Sequence, residues 1–253
     1  MLIDTHCHLN SVEAYPDPEA ELAFARENGV ARLVVVGTHP PDWPRAVEMA
    51  ERFDDIYAIV GWHPNYTADY DPASLPELRT WLGHPKVKGL GEIGLDYHWD
   101  YAPRDRQFRA LHDQLSLAEE LSLPVIFHAR EAYSDLLTVL EARPRLPYLF
   151  HCFAGDLNEA ARATALDAYF GVDGPITYKK SDDLRRVMAA VPRDRVVLET
   201  DAPYMAPTPF RGKPNRPAFV RYVAEGLAQC WETSTEETIR QTGENARRFF
   251  EID

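Results

Sequence analysis

Five short apolar stretches of this chain each run into side chains that can hold a metal ion. They are Leu2-Ile3-Asp4-Thr5-His6-Cys7-His8, Gly89-Leu90-Gly91-Glu92, Val125-Ile126-Phe127-His128, Tyr148-Leu149-Phe150-His151 and Val196-Val197-Leu198-Glu199-Thr200-Asp201. In a strand, residues two apart share a face, so His6 and His8 can chelate one ion while Cys7 points away. Glu92 has two oxygens and can bridge two ions. A carboxylate buried without a partner costs several kcal/mol, so an inward Glu92 asks for a cation. Lys88 lies ~13 Å deeper along the same run and is not expected to be that cation. His128 and His151 would complete a second nitrogen set, and Asp201 suits both coordination and proton acceptance. His6, His8, Glu92, His128, His151 and Asp201 are too many ligands for one catalytic ion that must keep an open position, which predicts two. Histidine and carboxylate donors suit Zn²⁺, Mn²⁺, Mg²⁺, Co²⁺ or Ni²⁺. Cys7 and Cys152 are left out of the ligand set on strand parity.

These groups are useful only if the fold brings the five strand ends together. Apolar runs at 2–5, 32–36, 56–60, 87–93, 125–127, 148–150, 169–172 and 196–199 alternate with amphipathic segments at 18–28, 42–53, 74–83, 104–121, 131–142, 157–167 and 181–190, then 216–231 and 235–250. Strand–helix alternation with short, continuous apolar runs implies a parallel sheet buried on both faces. Eight such units in 253 residues predict a single (β/α)8 TIM barrel spanning 1–253, an α/β fold whose chemistry sits at the C-terminal strand ends. Asn28-Gly29 reads as a helix stop, and Ser234 or Thr235 with Glu236 or Glu237 as a helix start. The stretch Pro203–Pro217 is too rich in proline for helix and reads as a structured loop.

Bulk properties narrow the function classes. Hydrophobic residues make up 45% of the chain, yet no apolar run approaches a membrane span. No secretory leader is evident, and three cysteines without CxxC spacing suggest a reduced, cytoplasmic protein. The net charge of −13 excludes a broad duplex-binding face but not a local phosphate pocket. No membrane partner or obligate protein partner is implied. Candidate substrate contacts are His63, at a strand end, and Arg130, two residues past His128. The basic island of Arg211, Lys213, Asn215 and Arg216 follows the eighth strand, where barrels frequently bind phosphate. His63 is as readily an orienting histidine, Arg130 a rim ion pair, and the island a solvated loop. Asp96, Tyr97 and Glu199 are candidates for supporting the ligands and water. His98 is assigned to the rim, and His39, His84 and His112 to the surface.

With these residues in hand, the chain resembles the TatD family of metal-dependent deoxyribonucleases, within the amidohydrolase-like barrels. The resemblance rests on Ile3-Asp4-Thr5-His6-Cys7-His8-Leu9, Gly61-Trp62-His63-Pro64, Gly91-Glu92-Ile93-Gly94-Leu95-Asp96-Tyr97, His128-Ala129-Arg130, His151-Cys152-Phe153-Ala154-Gly155, Glu199-Thr200-Asp201-Ala202-Pro203-Tyr204 and Arg211-Gly212-Lys213-Pro214-Asn215. It implies one ion on His6, His8, Glu92 and Asp201 and a second on Glu92, His128 and His151. Ala154 and Phe210 depart from the family's usual pattern at the rim without removing a ligand. Strand four ends in Glu92 and not in a lysine that could be carboxylated, which weakens a phosphotriesterase or dihydroorotase assignment.

The expectation is a two-metal hydrolase that cleaves phosphodiester bonds in nucleic acid by attack of metal-bound hydroxide, with Asp201 and Glu92 catalytic. A barrel mouth is a pocket, so an exo-acting deoxyribonuclease working at single-stranded ends is expected. The rival is an ester or amide hydrolase of the same superfamily, such as one deacylating an aminoacyl-tRNA. A non-enzymatic metal-holding protein is disfavoured, because structural zinc sites are closed and usually use Cys.

Overall fold

The computed structural model describes residues 1–253. Its eight strands are β1 (Leu2–Cys7), β2 (Val30–Gly37), β3 (Ile56–Val60), β4 (Val87–Asp96), β5 (Val125–Arg130), β6 (Tyr148–Phe150), β7 (Tyr169–Val172) and β8 (Val196–Leu198). They pair in parallel in the order β1 through β8, as eight buried runs separated by helices require. The ring closes just past β8, where His8 N–H donates to Ala202 and Asp201 N–H to His6. This is a (β/α)8 barrel.

The helices are α1 (Pro18–Glu27), α2 (Trp43–Arg52), α3 (Leu75–Leu82), α4 (Arg104–Leu121), α5 (Tyr133–Glu141), α6 (Leu157–Ala165), α7 (Asp182–Ala190), α8 (Val220–Trp231) and α9 (Thr235–Phe250). Local chemistry sets several starts. The Asp17 carboxylate caps α1, Asp156 and Glu159 form a reciprocal box on α6, and Ser234 accepts from Glu237 N–H at 3.1 Å on α9. Residues 216–219 are not α-helix: Pro217–Phe219 is a short 3-10 turn, and α8 begins after it. No helix is long and apolar enough to cross a membrane.

Two apolar layers support the mouth. The outer one packs Trp43, Leu111, Phe127, Phe150, Phe170 and Leu227 between sheet and helices. The inner one fills the barrel with Ile3, Val34, Ile59, Ile126, Leu149 and Val197, joined by Phe249, Phe250 and Ile252 from α9 and the C-terminus.

The strands that carry the ligands are irregular. The β1–β2 register slips between Asp4 and Cys7, and the β4–β5 register slips between Leu90 and Ile93. Strict alternation from the inward Ile3 would have turned Cys7 inward. After the slip, His6 faces the centre and Cys7 packs in the outer layer. The same device on β4 turns Glu92 inward and leaves Ile93 outside.

Candidate metal centre

Glu92 is the hub. Its side chain is only 3% exposed, and imidazoles from four elements surround it. Oε1 lies 2.7 Å from His151 Nε2, 2.8 Å from His128 Nδ1 and 3.4 Å from His63 Nε2. Oε2 faces the other way, 3.3 Å from His6 Nε2. On that side Asp201 Oδ1 is 3.3 Å from His8 Nε2 and 3.9 Å from His6 Nε2. The donor atoms of His6, His8 and Glu92 all lie within 4.8 Å of one another, and so do those of His63, Glu92 and His128. All six ligands expected from the sequence therefore converge, with His63 beside them.

The electrostatics are those of a cation site. Burial opposes ionisation of Glu92, but the charges of His151 and His63 and the hydrogen bonds of His128 and His151 hold it well below the usual carboxylate range. Burial also opposes a charge on His151, yet Glu92, Glu199 and Asp201 lift it to about 10. His6 goes the other way, lowered to about 4 by burial and by its neighbour His151. The His6 and His151 rings stack with centroids 4.0 Å apart, so both cannot hold protons cheaply.

Both ring nitrogens of His6 and Nδ1 of His151 are buried with no hydrogen-bond partner, His6 Nε2 being misaligned for its near neighbour Glu92. Unpartnered buried polar atoms cost about 1–3 kcal/mol each. A divalent cation beside Glu92 would take the lone pair of the orphaned His6 Nε2, and the nitrogen–oxygen donor set suits one. The residues present fit a metal centre.

Surrounding groups fix the ligands. Asp96 Oδ2 lies 2.9 Å from His128 Nε2, on the far side of the ring from Glu92, the arrangement that orients metal-binding histidines. Glu199 accepts from Cys152 N–H and stands 3.7 Å from His151 Nδ1; burial raises its carboxyl to about 8. Gly171 makes room for that carboxylate, which a Cβ there would strike. Buried Asp4 accepts from Thr200 N–H at 2.9 Å and Thr200 Oγ at 2.6 Å, tying β1 to the segment that carries Asp201. Asp201 itself adopts a left-handed φ of 53°.

Three expectations need correction. Cys152 does not point away by strand parity, because β6 ends at Phe150 and Cys152 lies beyond it with φ 43°. Its thiol, kept protonated by burial, reaches Asp173 Oδ2 at 3.2 Å, and its Sγ falls within 4.8 Å of donors on His151 and Asp201. Tyr97 supports no ligand; its hydroxyl donates to Asp135, and the Arg104 guanidinium lies 3.7 Å from its ring centroid. Asn215 is not at the rim. It is fully buried, and its amide donates to Thr200 and Tyr204 carbonyls at 2.8 and 2.7 Å, holding the loop after β8. Asp173 and Asp4 carry weight that the sequence reading missed. Asp173, which accepts the Cys152 thiol, follows the seventh apolar run as the expected ligands follow theirs, and that signal could have found it.

The family profile of TatD related DNases matches residues 3–251. The chain belongs to the TatD family. It is 41% identical to the uncharacterized metal-dependent hydrolase YabD of Bacillus subtilis, over 100% of each chain. It is 31% identical to the 3'-5' ssDNA/RNA exonuclease TatD of Erwinia tasmaniensis, over 99% of this chain and 100% of that one. The crystal structure of YjjV, a TatD homologue from Escherichia coli K12, superposes with a TM-score of 0.94 at 34% identity, covering 100% of this chain and 98% of that chain. The protein is a metal-dependent hydrolase.

In this TatD-family mouth, the remaining expected substrate contacts occupy different shells. His63 Nδ1 accepts from Asn65 N–H at 3.1 Å, which places the proton of the neutral ring on Nε2, the atom facing Glu92. Arg130 is exposed, its guanidinium 5.6 Å from the Trp99 ring centroid. Arg211 is exposed with its guanidinium over Tyr178, and Lys213 is exposed. Arg216 is pinned to Glu21 at 2.7 Å and is not part of a free island.

Proposed function

We propose that this hydrolase uses two divalent ions to cut phosphodiester bonds at the ends of single-stranded nucleic acid. The observation that carries the reading is the division of Glu92 between two ligand groups. Oε2 belongs with His6, His8 and Asp201, and Oε1 with His128 and His151. A carboxylate shared in this way is suited to bridging. Ions held there would supply Lewis acidity toward a phosphoryl oxygen and activate water as the nucleophile.

The chain's own residues do the rest. Asp201 turns Oδ1 toward His6 and His8 and keeps Oδ2 to accept the proton of the attacking water. Its side chain is 15% exposed, deep enough to hold its position and open enough to meet substrate. His63 presents an N–H beside the cluster for a phosphate oxygen. Asp96, through His128, and Glu199, beside His151, keep the imidazoles aimed. The centre lies at the end of a barrel whose interior is filled with side chains, so a strand end enters more easily than the middle of a chain. Relatives whose names give 3'-5' single-strand exonuclease activity support the same polarity here.

The test is digestion of 3′- and 5′-labelled single strands after chelation and reconstitution with Mg²⁺, Mn²⁺ or Zn²⁺. Stepwise shortening from the 3′ end is expected. Inertness toward every oligonucleotide, together with metal-dependent cleavage of an aminoacyl ester or amide, would replace this reading with its rival.

A further inference from the structure

Eight large hydrophobic side chains are exposed; six of them sit between a strand C-terminus and the next α-helix, and a seventh, Leu157, opens α6, on the face of the candidate metal centre. Four of those seven are aromatic: Tyr66, Trp99, Tyr101 and Tyr204. Exposed apolar groups scattered over a surface need no explanation, but a set gathered on one face does. Tyr204 packs edge-on to His8 with centroids 5.8 Å apart, and Tyr66 to His63 at 6.1 Å. These two line the centre itself. Trp99 and Tyr101 form a separate stack after β4, centroids 5.6 Å apart and planes 21° from parallel, with 44% and 59% of their surfaces open.

The stack is fixed in place. Asp96 Oδ1 accepts the N–H groups of His98 at 2.9 Å and Trp99 at 3.1 Å, while Oδ2 holds His128. One carboxylate thus sets both the aromatic loop and a candidate ligand. Arg130 flanks Trp99 and lines an adjoining cavity of about 480 Å³. That volume lies within the range of small-ligand pockets.

We infer that Trp99 and Tyr101 form a stacking platform for the nucleobases of the single strand being cut; this deepens the nuclease reading and rests on it. The chain carries −13, and the cavity beside Arg130 also exposes Glu131, Asp135 and Glu159. Such a surface is ill-suited to tracking a phosphate backbone by charge. Stacking on aromatic rings is insensitive to that field and tolerant of sequence. It also selects single strands, because bases in a duplex are already stacked on their neighbours.

The experiment compares the metal-loaded wild type with Trp99→Ala/Tyr101→Ala and with Trp99→Phe. KM is read on a single-stranded oligonucleotide and on the same oligonucleotide with abasic positions near its 3′ end. Binding is read separately by anisotropy of a labelled strand in an Asp201→Asn background. The double alanine variant should raise KM and weaken binding by about 10- to 100-fold, with kcat changing far less. Trp99→Phe should recover most of the loss. Abasic positions should weaken the wild type and leave the double variant little changed. Wild type that cuts oligonucleotides while the double variant does so with KM within twofold overturns the platform and leaves the nuclease reading intact. Wild type that cuts no oligonucleotide overturns the nuclease reading itself. Wild type that dimerises on gel filtration, with a monomeric double variant of unaltered KM, assigns the pair to self-association and also overturns the platform.

Discussion

The two ends of the barrel are built on opposite principles. At the base, Ala246, Phe249 and Phe250 of α9 and the following Ile252 seal an apolar interior, and Asn245 of the same helix spends its amide on the Arg193 and Val196 carbonyls. At the mouth, every buried side-chain atom that lacks a hydrogen-bond partner is found: on His6, Asn10, Asn65 and His151. Buried carboxylates are there too, at Asp4, Glu92, Asp173 and Glu199. Burying such groups opposes folding, and the apolar layers must offset them. Stability is concentrated at one end and chemical potential at the other.

The largest expected effect tests that division directly. Glu92→Gln keeps the shape of the hub and removes the charge that the four imidazoles face. Metal content should fall by at least one ion per chain, and activity by about 10³-fold or more, a loss of several kcal/mol of transition-state stabilisation. The chelated variant should melt lower than the chelated wild type, because His151 and His128 lose the buried charge that they pair with. Elemental analysis, steady-state rates and thermal melts read the three quantities. A variant that keeps two ions and full turnover would sink the bridging role.

At the opposite end, Phe250→Ala should cost about 3–5 kcal/mol of stability by opening a cavity under the barrel. Its kcat should stay within about twofold of wild type well below the melting temperature. A specific loss of turnover with unaltered melting would show that the two ends are not independent.

Much of this division is legible in the sequence because it follows from periodicity. Eight short apolar runs separated by amphipathic segments lead to a barrel, and ligand-type residues at the run ends lead to the mouth. What periodicity misses is where the period breaks. The slips in β1 and β4 decide which residues face inward, and they depend on register with neighbouring strands. The His6/Cys7 assignment agrees with the structure only because the slip lies upstream of both. Cys152 fails the same parity argument because it has left its strand, and Asn215 looked like a rim residue because burial of a loop side chain leaves no mark in local sequence. Its partners, Thr200 and Tyr204, come from the turn after β8 and are recognisable only once folded.

A smaller effect is expected one layer out from the ligands. Asp96→Asn retains size and can still accept the His98 and Trp99 N–H groups, but its hold on His128 weakens. Loss of such a support typically lowers metal affinity or activity by about 10- to 100-fold. Competition with a chromophoric chelator measures it. Unchanged affinity would assign Asp96 to the Trp99 loop alone.

The smallest effect concerns the basic residues after β8. Arg211 and Lys213 are exposed, and Arg211 already rests on Tyr178. With Arg216 paired to Glu21 and Asn215 buried, only two free cations remain of the four-residue island that the sequence suggested. Each phosphate contact on a single strand contributes about −0.7 to the slope of log affinity against log salt. Arg211→Ala/Lys213→Ala should therefore flatten the slope for an oligonucleotide by at most about 1.4, with KM rising only a few-fold at moderate salt. The same variant should treat a minimal phosphodiester as wild type does, since that substrate has no flanking phosphates to hold. An oligonucleotide slope unchanged by the double substitution would make these residues solvated surface and leave recognition to the aromatic rim. A larger flattening would mean that the loop recruits further cations when substrate binds, and that charge competes with stacking at this mouth.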